Sequence, residues 1–215
     1  MSAVPPDAEK ALNELGIVSR ETLEALGDYL ALLEKWQARI NLVSTESLKD
    51  AWTRHIVDSA QLWPLLPPGA RTITDLGSGA GLPGLVLGIL GRETAGFCAH
   101  LIESDARKCA FLREAARLTG APIEINNERI EAISAWPSDV VTARALAPLK
   151  KLLPLAIPFL KNEGIALFLK GKNAESELTA ARDWGTFDAE VIPSRTSPEG
   201  AIIKLSALHS ASERE

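Results

Sequence analysis

The run Asp75-Leu76-Gly77-Ser78-Gly79-Ala80-Gly81-Leu82-Pro83-Gly84 constrains this chain more than any other stretch. It follows the short apolar segment at residues 72–76 and leads into residues 82–90, which read as a helix. Glycines at a strand-to-helix junction let the chain turn sharply and bring backbone N–H groups close to a ligand, with a helix N-terminus behind them. The loop therefore predicts an α/β domain that binds an adenosyl or nucleotide cofactor. Two registers fit. Gly77-x-Gly79-x-Gly81, preceded by Asp75, is the pattern of S-adenosylmethionine sites, whereas Gly79-x-Gly81-x-x-Gly84 satisfies the dinucleotide fingerprint. Glu103, at the end of the next apolar segment, suits either, because a carboxylate there accepts hydrogen bonds from both ribose hydroxyls.

The rest of the chain supports the α/β reading. Short apolar segments at residues 72–76, 96–103, 123–127, 139–143 and 165–170 alternate with helical stretches at 82–90, 105–119, 149–160 and 174–184. Such alternation predicts parallel strands joined by crossover helices, each helix carrying one strand to the next. Residues 187–192 and 201–208 are separated only by the turn-rich 193–200, too short for a crossover, so they predict an antiparallel hairpin on the sheet edge. The expected fold is Rossmann-like, with a mostly parallel seven-stranded sheet and a C-terminal antiparallel hairpin. Ahead of it, Leu23, Leu26, Leu30, Leu33 and Ile40 recur at helical spacing with Ser19 or Thr22 as the cap, and Leu48, Trp52, Ile56 and Leu62 mark a second helix ending before Pro64. The division expected is a helical extension over 1–66, a Rossmann-like domain over 67–208 and a disordered tail over 209–215.

Composition removes several function classes. Hydrophobic residues make up 46% and charged residues 24%, an ordinary globular balance. No stretch approaches the roughly 20 apolar residues of a membrane helix, and Met1 to Asp7 carries no secretory signal, so a cytoplasmic protein is expected. The net charge of -5 argues against a protein that coats nucleic acid nonspecifically, while leaving room for a local basic patch. Cys98 and Cys109 lack C-x-x-C spacing and the three histidines are scattered, so neither a disulfide nor a metal site is expected. No long apolar face is left over, and the expected state is a monomer.

Three features favour the methyl donor over a nicotinamide cofactor. The glycine loop follows a long helical segment instead of opening the chain, little follows the hairpin to position a hydride acceptor, and Asp75 puts a carboxylate near a cationic methionine group. The chain closely resembles the glucose-inhibited division protein B family of small-subunit ribosomal RNA methyltransferases. Asn41-Leu42, Arg54-His55-x-x-Asp58-Ser59, residues 75–84, Arg107-Lys108 with Phe111-Leu112, Arg129-Ile130-Glu131, Arg144-Ala145 and Leu169-Lys170-Gly171 carry that resemblance. It implies transfer of a methyl group from S-adenosylmethionine to N7 of one guanine in 16S ribosomal RNA, with S-adenosylhomocysteine as product. The residues implied at the donor are Gly77, Ser78, Gly79, Gly81, Leu82, Glu103, Ile130 and Glu131, with Arg144 reaching the methionine end or the target base.

Arg54 and His55 are assigned to RNA contact or domain docking, and Lys150, Lys151, Lys170 and Lys172 to a basic rim for phosphates. The chain departs from the family pattern at Cys109 and at Pro198-Glu199-Gly200, where basic residues are usual, so no RNA contact is expected from those places. The loop after the fourth strand, Ala143-Arg144-Ala145-Leu146-Ala147-Pro148, has neither the cysteine needed to methylate pyrimidine carbon-5 nor the Asn- or Asp-Pro-Pro-aromatic turn common in amine methylation. Guanine N7 has an exposed lone pair and requires no general base. The alternatives are a nicotinamide-dependent oxidoreductase using the second glycine register and a ribosome assembly factor that holds an adenosyl ligand without turnover.

Overall fold

A computed structural model describes residues 4–16 and 19–210. The first residues, Ile17 and Val18, and the part of the expected tail beyond Ser210 lie outside the described residues. Helices α1 (Pro6–Glu14) and α2 (Arg20–Gln37) open the chain, followed by the short α3 (Thr45–Leu48), a π-helical turn at Trp52–Val57, α4 (Asp58–Ala60) and a 3-10 turn at Trp63–Leu65. Ser19 caps α2, its hydroxyl accepting from the Thr22 amide. The second front helix expected from the apolar spacing is thus broken into short pieces. Pro64 sits inside the 3-10 turn, where its missing N–H costs nothing, instead of beyond the end of a continuous helix.

Seven strands follow: β1 (Thr72–Leu76), β2 (Cys98–Ile102), β3 (Ile123–Asn126), β4 (Ser138–Arg144), β5 (Leu160–Lys170), β6 (Gly185–Pro193) and β7 (Ala201–Ser210). Between them lie α5 (Gly84–Gly91), α6 (Ala106–Thr119), α7 (Leu149–Ala156) and α8 (Ala174–Ala181). The sheet order is β3-β2-β1-β4-β5-β7-β6; the first five strands are parallel, and β7 lies antiparallel between β5 and β6. The chain reverses its direction of travel across the sheet between β1 and β4, and the carboxyl ends of those two strands form the crevice where open α/β sheets bind ligands.

Both faces of the sheet are covered, which is why its strands read as unbroken apolar runs. Val140, Ile165, Leu167 and Ile202 join α1, α2, α5 and α6 in one buried cluster, while Val141, Ala166, Phe168 and Ile203 join α7 and α8 in the other. The front helices have no core of their own. Tyr29 and Trp36 of α2 pack against Phe111 of α6, with ring centroids 6.2 and 5.9 Å away, and the Tyr29 hydroxyl donates to the carbonyl of Ala80 in the glycine loop at 2.8 Å. Burial pushes the Tyr29 phenol far above its ordinary pKa, so it remains a donor.

Residues 127–137 join β3 to β4 as an irregular segment, with Arg129 and Glu131 paired at 3.4 Å in a turn. Within it Trp136 donates to Thr74 Oγ1 and packs against the His100 and Phe159 rings. Two sequence expectations need correction. The helix expected over 149–160 stops at Ala156, where Pro158 permits only a 3-10 turn. Finally, β7 runs through His209 and Ser210, two residues beyond the expected boundary, because both pair with β6.

Candidate active site

The glycine loop leaves β1 at its carboxyl end and is fixed from three sides. The Ser78 amide donates to the Ile102 carbonyl and its hydroxyl to the Asp75 carbonyl, while the Gly79 amide donates to Glu103 Oε2 at 2.9 Å. The other oxygen of Glu103 accepts from the Asp105 amide at 2.8 Å. Glu103 is thereby held at the end of β2 with lone pairs left on both oxygens for hydroxyl donors. Asp75 is fully buried below the loop, where it accepts from Thr142 Oγ1 of β4 and the Gly84 amide of α5. Burial pushes its carboxyl up to about 6 against the pull of these hydrogen bonds and of Arg144. It ties β1, β4 and α5 together beneath the loop, so its carboxylate acts on the loop through these bonds.

A cavity of about 530 Å³ opens above the loop. Gly77, Gly79, Glu103, Ile130, Glu131 and Arg144, all expected at the donor, line this one cavity. Gly77 and Gly79 have φ of +65° and +57°, and a Cβ on Gly79 would point into open space. Gly81, Ser78 and Leu82 stand behind the wall. A Cβ on Gly81 would come within 2.6 Å of Leu85 and 2.9 Å of Leu112, Ser78 is buried in its loop contacts, and Leu82 belongs to the apolar core. Two glycines of the Gly77-x-Gly79-x-Gly81 register thus face the cavity, but only one of the Gly79-x-Gly81-x-x-Gly84 register does, since Gly84 packs on Asp75. An open glycine cradle, a carboxylate at the end of β2 and the apolar Ile130 fit an adenosyl ligand in the first register.

Arg144 ends β4 and reaches back to the front segment. Its guanidinium donates to the Arg54 carbonyl at 3.1 Å and to Asp58 Oδ2 at 3.3 Å, and lies 3.4 Å from His55 Nδ1. His55 is 3% exposed, and burial and then the Arg144 charge push it down to about 4. Its imidazole is neutral at physiological pH, with Nδ1 accepting from Arg144. His55 therefore docks the front segment to β4 and contributes to the wall of a neighbouring cavity. Asp58 also accepts at Oδ1 from Thr196 Oγ1 at 2.6 Å and from Gln61 Nε2 at 3.0 Å. Gln61 Oε1 in turn accepts from the Arg195 amide. Sequence reading gave Asp58 no role; its position one helical turn after Arg54-His55 was the available signal.

These contacts wall a second cavity of about 730 Å³, which shares Arg144, Ala145, Leu146 and Ala147 with the first. Its remaining walls come from the front segment, the end of β5 and the β6–β7 loop. Ala145 carries a φ of +51°, unusual for a residue with a side chain, and Leu146 leans over Gly77, where an added Cβ would meet Leu146 Cδ1 at 2.6 Å. The segment between the two cavities is therefore a shaped partition.

The basic rim dissolves in part. The Lys170 side chain is only 8% exposed, its ammonium held by Glu177 at 2.8 Å and by the Ala147 carbonyl at 2.6 Å, so it meets the second cavity as an already paired cation. Lys150 is exposed and pairs with Asp183, Lys172 is exposed outside both cavities, and Lys151 lines the first cavity with Lys108 and Arg129, which sequence reading had not assigned as ligands.

Residues 22–197 match the GidB family, described as rRNA small subunit methyltransferase G. The chain belongs to that family. A relative named ribosomal RNA small subunit methyltransferase G from Rhodospirillum centenum is 57% identical over 191 residues, covering 89% of this chain and 87% of the relative. One of the same name from Parvibaculum lavamentivorans is 54% identical over 202 residues, covering 93% and 89%. Among solved structures, a cofactor-bound protein from MTB superposes with a TM-score of 0.62 at 14% identity, covering 97% of this chain and 100% of that one. A ribosomal protein L11 methylase from Lactobacillus delbrueckii gives 0.57 at 15% identity over 75% and 80%. At such identities the likeness concerns the fold, which is that of the class I methyltransferases.

Proposed function

We propose that this family member transfers a methyl group from S-adenosylmethionine to N7 of one guanine in 16S ribosomal RNA of the small subunit, in the cytoplasm and as a monomer. The family supports the reaction. Large apolar side chains stand exposed among the described residues only at Leu118, Leu146 and Val191, on separate elements, which supports the monomer. The observation that carries the mechanism is the position of Arg144 where the two cavities meet, at the end of the strand beside the switch point.

The first cavity would hold the donor, with Glu103 placed to accept from its ribose hydroxyls, Ile130 to meet its adenine and the Gly77–Gly79 backbone beneath. Bound there, S-adenosylmethionine would supply an electrophilic methyl. The second cavity would receive the guanine, turned out of its stack, and because N7 brings its own lone pair the chain need move no proton. Arg144, pre-oriented by Asp58, His55 and the Arg54 carbonyl, donates toward guanine O6 beside N7 and fixes the angle of approach. A division near residue 66 then has a functional sense, because the front segment completes the acceptor side. Arg54, Lys150, Lys151 and Lys172 remain the candidates for phosphate contact.

The test is transfer of radiolabelled methyl to small subunits from cells lacking the protein, with wild-type subunits alongside. Label confined to the deficient subunits, at a guanine sensitive to N7-specific strand cleavage, is expected. Donor binding without label would discard the reaction and leave a non-catalytic adenosyl-binding assembly factor.

A further inference from the structure

The face of β2 that turns away from α5 and α6 carries a second cluster of chemically competent side chains. Ala99 and Leu101 point into the core beneath α5 and α6, so Cys98 and His100 share the opposite face, two residues apart. In the parallel register His100 lies directly opposite Glu124 of β3. Because residues 127–137 cross without a helix, that edge of the face is only partly covered, by Trp136, which stacks on the His100 ring at 5.0 Å and is itself tied to Thr74. One donor atom from each of Cys98, His100 and Glu124 lies within 4.8 Å of the others.

We propose that Cys98, His100 and Glu124 bind a divalent transition-metal cation of the zinc class, with a water as fourth ligand on the open side. The donor set of one sulfur, one nitrogen and one oxygen suits zinc or cobalt and is wrong for calcium or magnesium, which take oxygen ligands alone. The spacing agrees. Two zinc bonds of about 2.0 Å at the tetrahedral angle place their donor atoms about 3.3 Å apart, and His100 Nδ1 stands 3.2 Å from Glu124 Oε2. Trp136, tied to Thr74, packs against the imidazole ring and limits its movement. On binding, the Cys98 thiol gives its proton to solvent as the sulfur–metal bond forms. The pattern escapes a search for C-x-x-C because the third ligand arrives through strand register. The proposal is independent of the methyl-transfer reading.

The test uses the full-length, untagged, metal-stripped protein titrated with cobalt(II), whose thiolate charge-transfer band reports sulfur ligation and whose visible bands report coordination number. One cobalt per chain is expected, with a charge-transfer band and intense four-coordinate visible bands, both displaced by zinc. Cys98→Ser should remove the charge-transfer band, His100→Ala should weaken binding at least tenfold, and Cys109→Ser should change neither, with circular dichroism confirming that each variant is folded. Zinc should raise the melting temperature of the wild type and leave that of Cys98→Ser unmoved. Absence of the band in the wild type, its survival in Cys98→Ser, or its loss in Cys109→Ser would overturn the site.

Discussion

The two cavities that meet at Arg144 differ in what fixes them. The first has a backbone floor, Gly77 and Gly79, and a carboxylate, Glu103, fixed by the amides of Gly79 and Asp105, beneath walls from residues 128–131 and 144–147, Lys151 and Leu155. The acceptor cavity is made of side chains drawn from four distant stretches, joined by Asp58 to Arg144, Thr196 and Gln61. Local geometry can hold a cofactor common to many enzymes. On the proposed reading a particular nucleotide is recognised by side chains, and those of the second cavity are positioned by tertiary contacts.

The largest effects should separate the two cavities cleanly. Gly79→Asp puts a carboxylate into open space above the loop, where φ is +57° and asparagine or aspartate is tolerated. Donor affinity measured by calorimetry should fall more than about 100-fold with the fold retained, since charge and bulk enter the ligand's volume. Gly81→Ala should do the reverse. Its φ of +89° and its 2.6 Å approach to Leu85 make it a packing position, so it should cost about 2–3 kcal/mol in denaturant unfolding. Equal loss of donor affinity in the two, at equal stability, would contradict the division between cavity glycines and packing glycines.

Next in size are the changes on the acceptor side. Arg144→Ala should lower methyl transfer by about 100-fold or more while donor affinity changes less than about tenfold, because orientation of the base is what is lost. Asp58→Asn keeps the shape but removes the charge facing Arg144 and should lower turnover about tenfold, with donor affinity unchanged. A matching fall in donor affinity for Asp58→Asn would merge the two cavities into one.

How much of this was legible in the sequence follows the same contrast. Asp75 to Gly84 announced its strand, turn and helix because every residue acts on its immediate neighbours, and the strands of the sheet were visible as apolar runs. Asp58 and Gln61 were invisible as a hub because their partners, Arg144, Arg195 and Thr196, lie far along the chain. Lys170 read as a surface cation, since nothing near it in sequence reveals that Glu177 of α8 will neutralise it. Cys98, His100 and Glu124 failed for the same reason, because strand register is not a sequence property. His55 was half legible: docking was foreseen, but its burial against Arg144 was not.

The acid range offers a further way to sharpen the contrast. His55 is pushed down to about 4 in the folded protein, so the unfolded chain binds its proton first, and the stability it contributes is lost as pH falls from about 6.5 to 4. Asp75 is pushed up to about 6, so the folded protein takes its proton first and stability is gained as pH falls through about 6 to 4. The two slopes oppose each other, one arising at the wall of the second cavity and one beneath the glycine loop. His55→Gln should remove the first, so that the stability difference between wild type and variant shrinks by about 2 kcal/mol between pH 7 and pH 4. A pH-independent difference in urea unfolding would show that His55 does not titrate against Arg144.

The smallest expected effect tests the polar contact by which α2 reaches the glycine loop. Tyr29 of α2 donates to the Ala80 carbonyl at 2.8 Å in a fully buried setting, so Tyr29→Phe removes a single oxygen and leaves that carbonyl without its partner. The cost should be about 1–2 kcal/mol in unfolding free energy, without the cavity that a larger truncation would open. If α2 also sets the height of the glycine loop, donor affinity should drop by a few-fold along with stability, while the distribution of label among guanines stays the same. Loss of stability with donor affinity unchanged would mean that Ser78 and Glu103 hold the loop unaided, and the donor cavity would then owe its shape wholly to the Rossmann-like half of the chain.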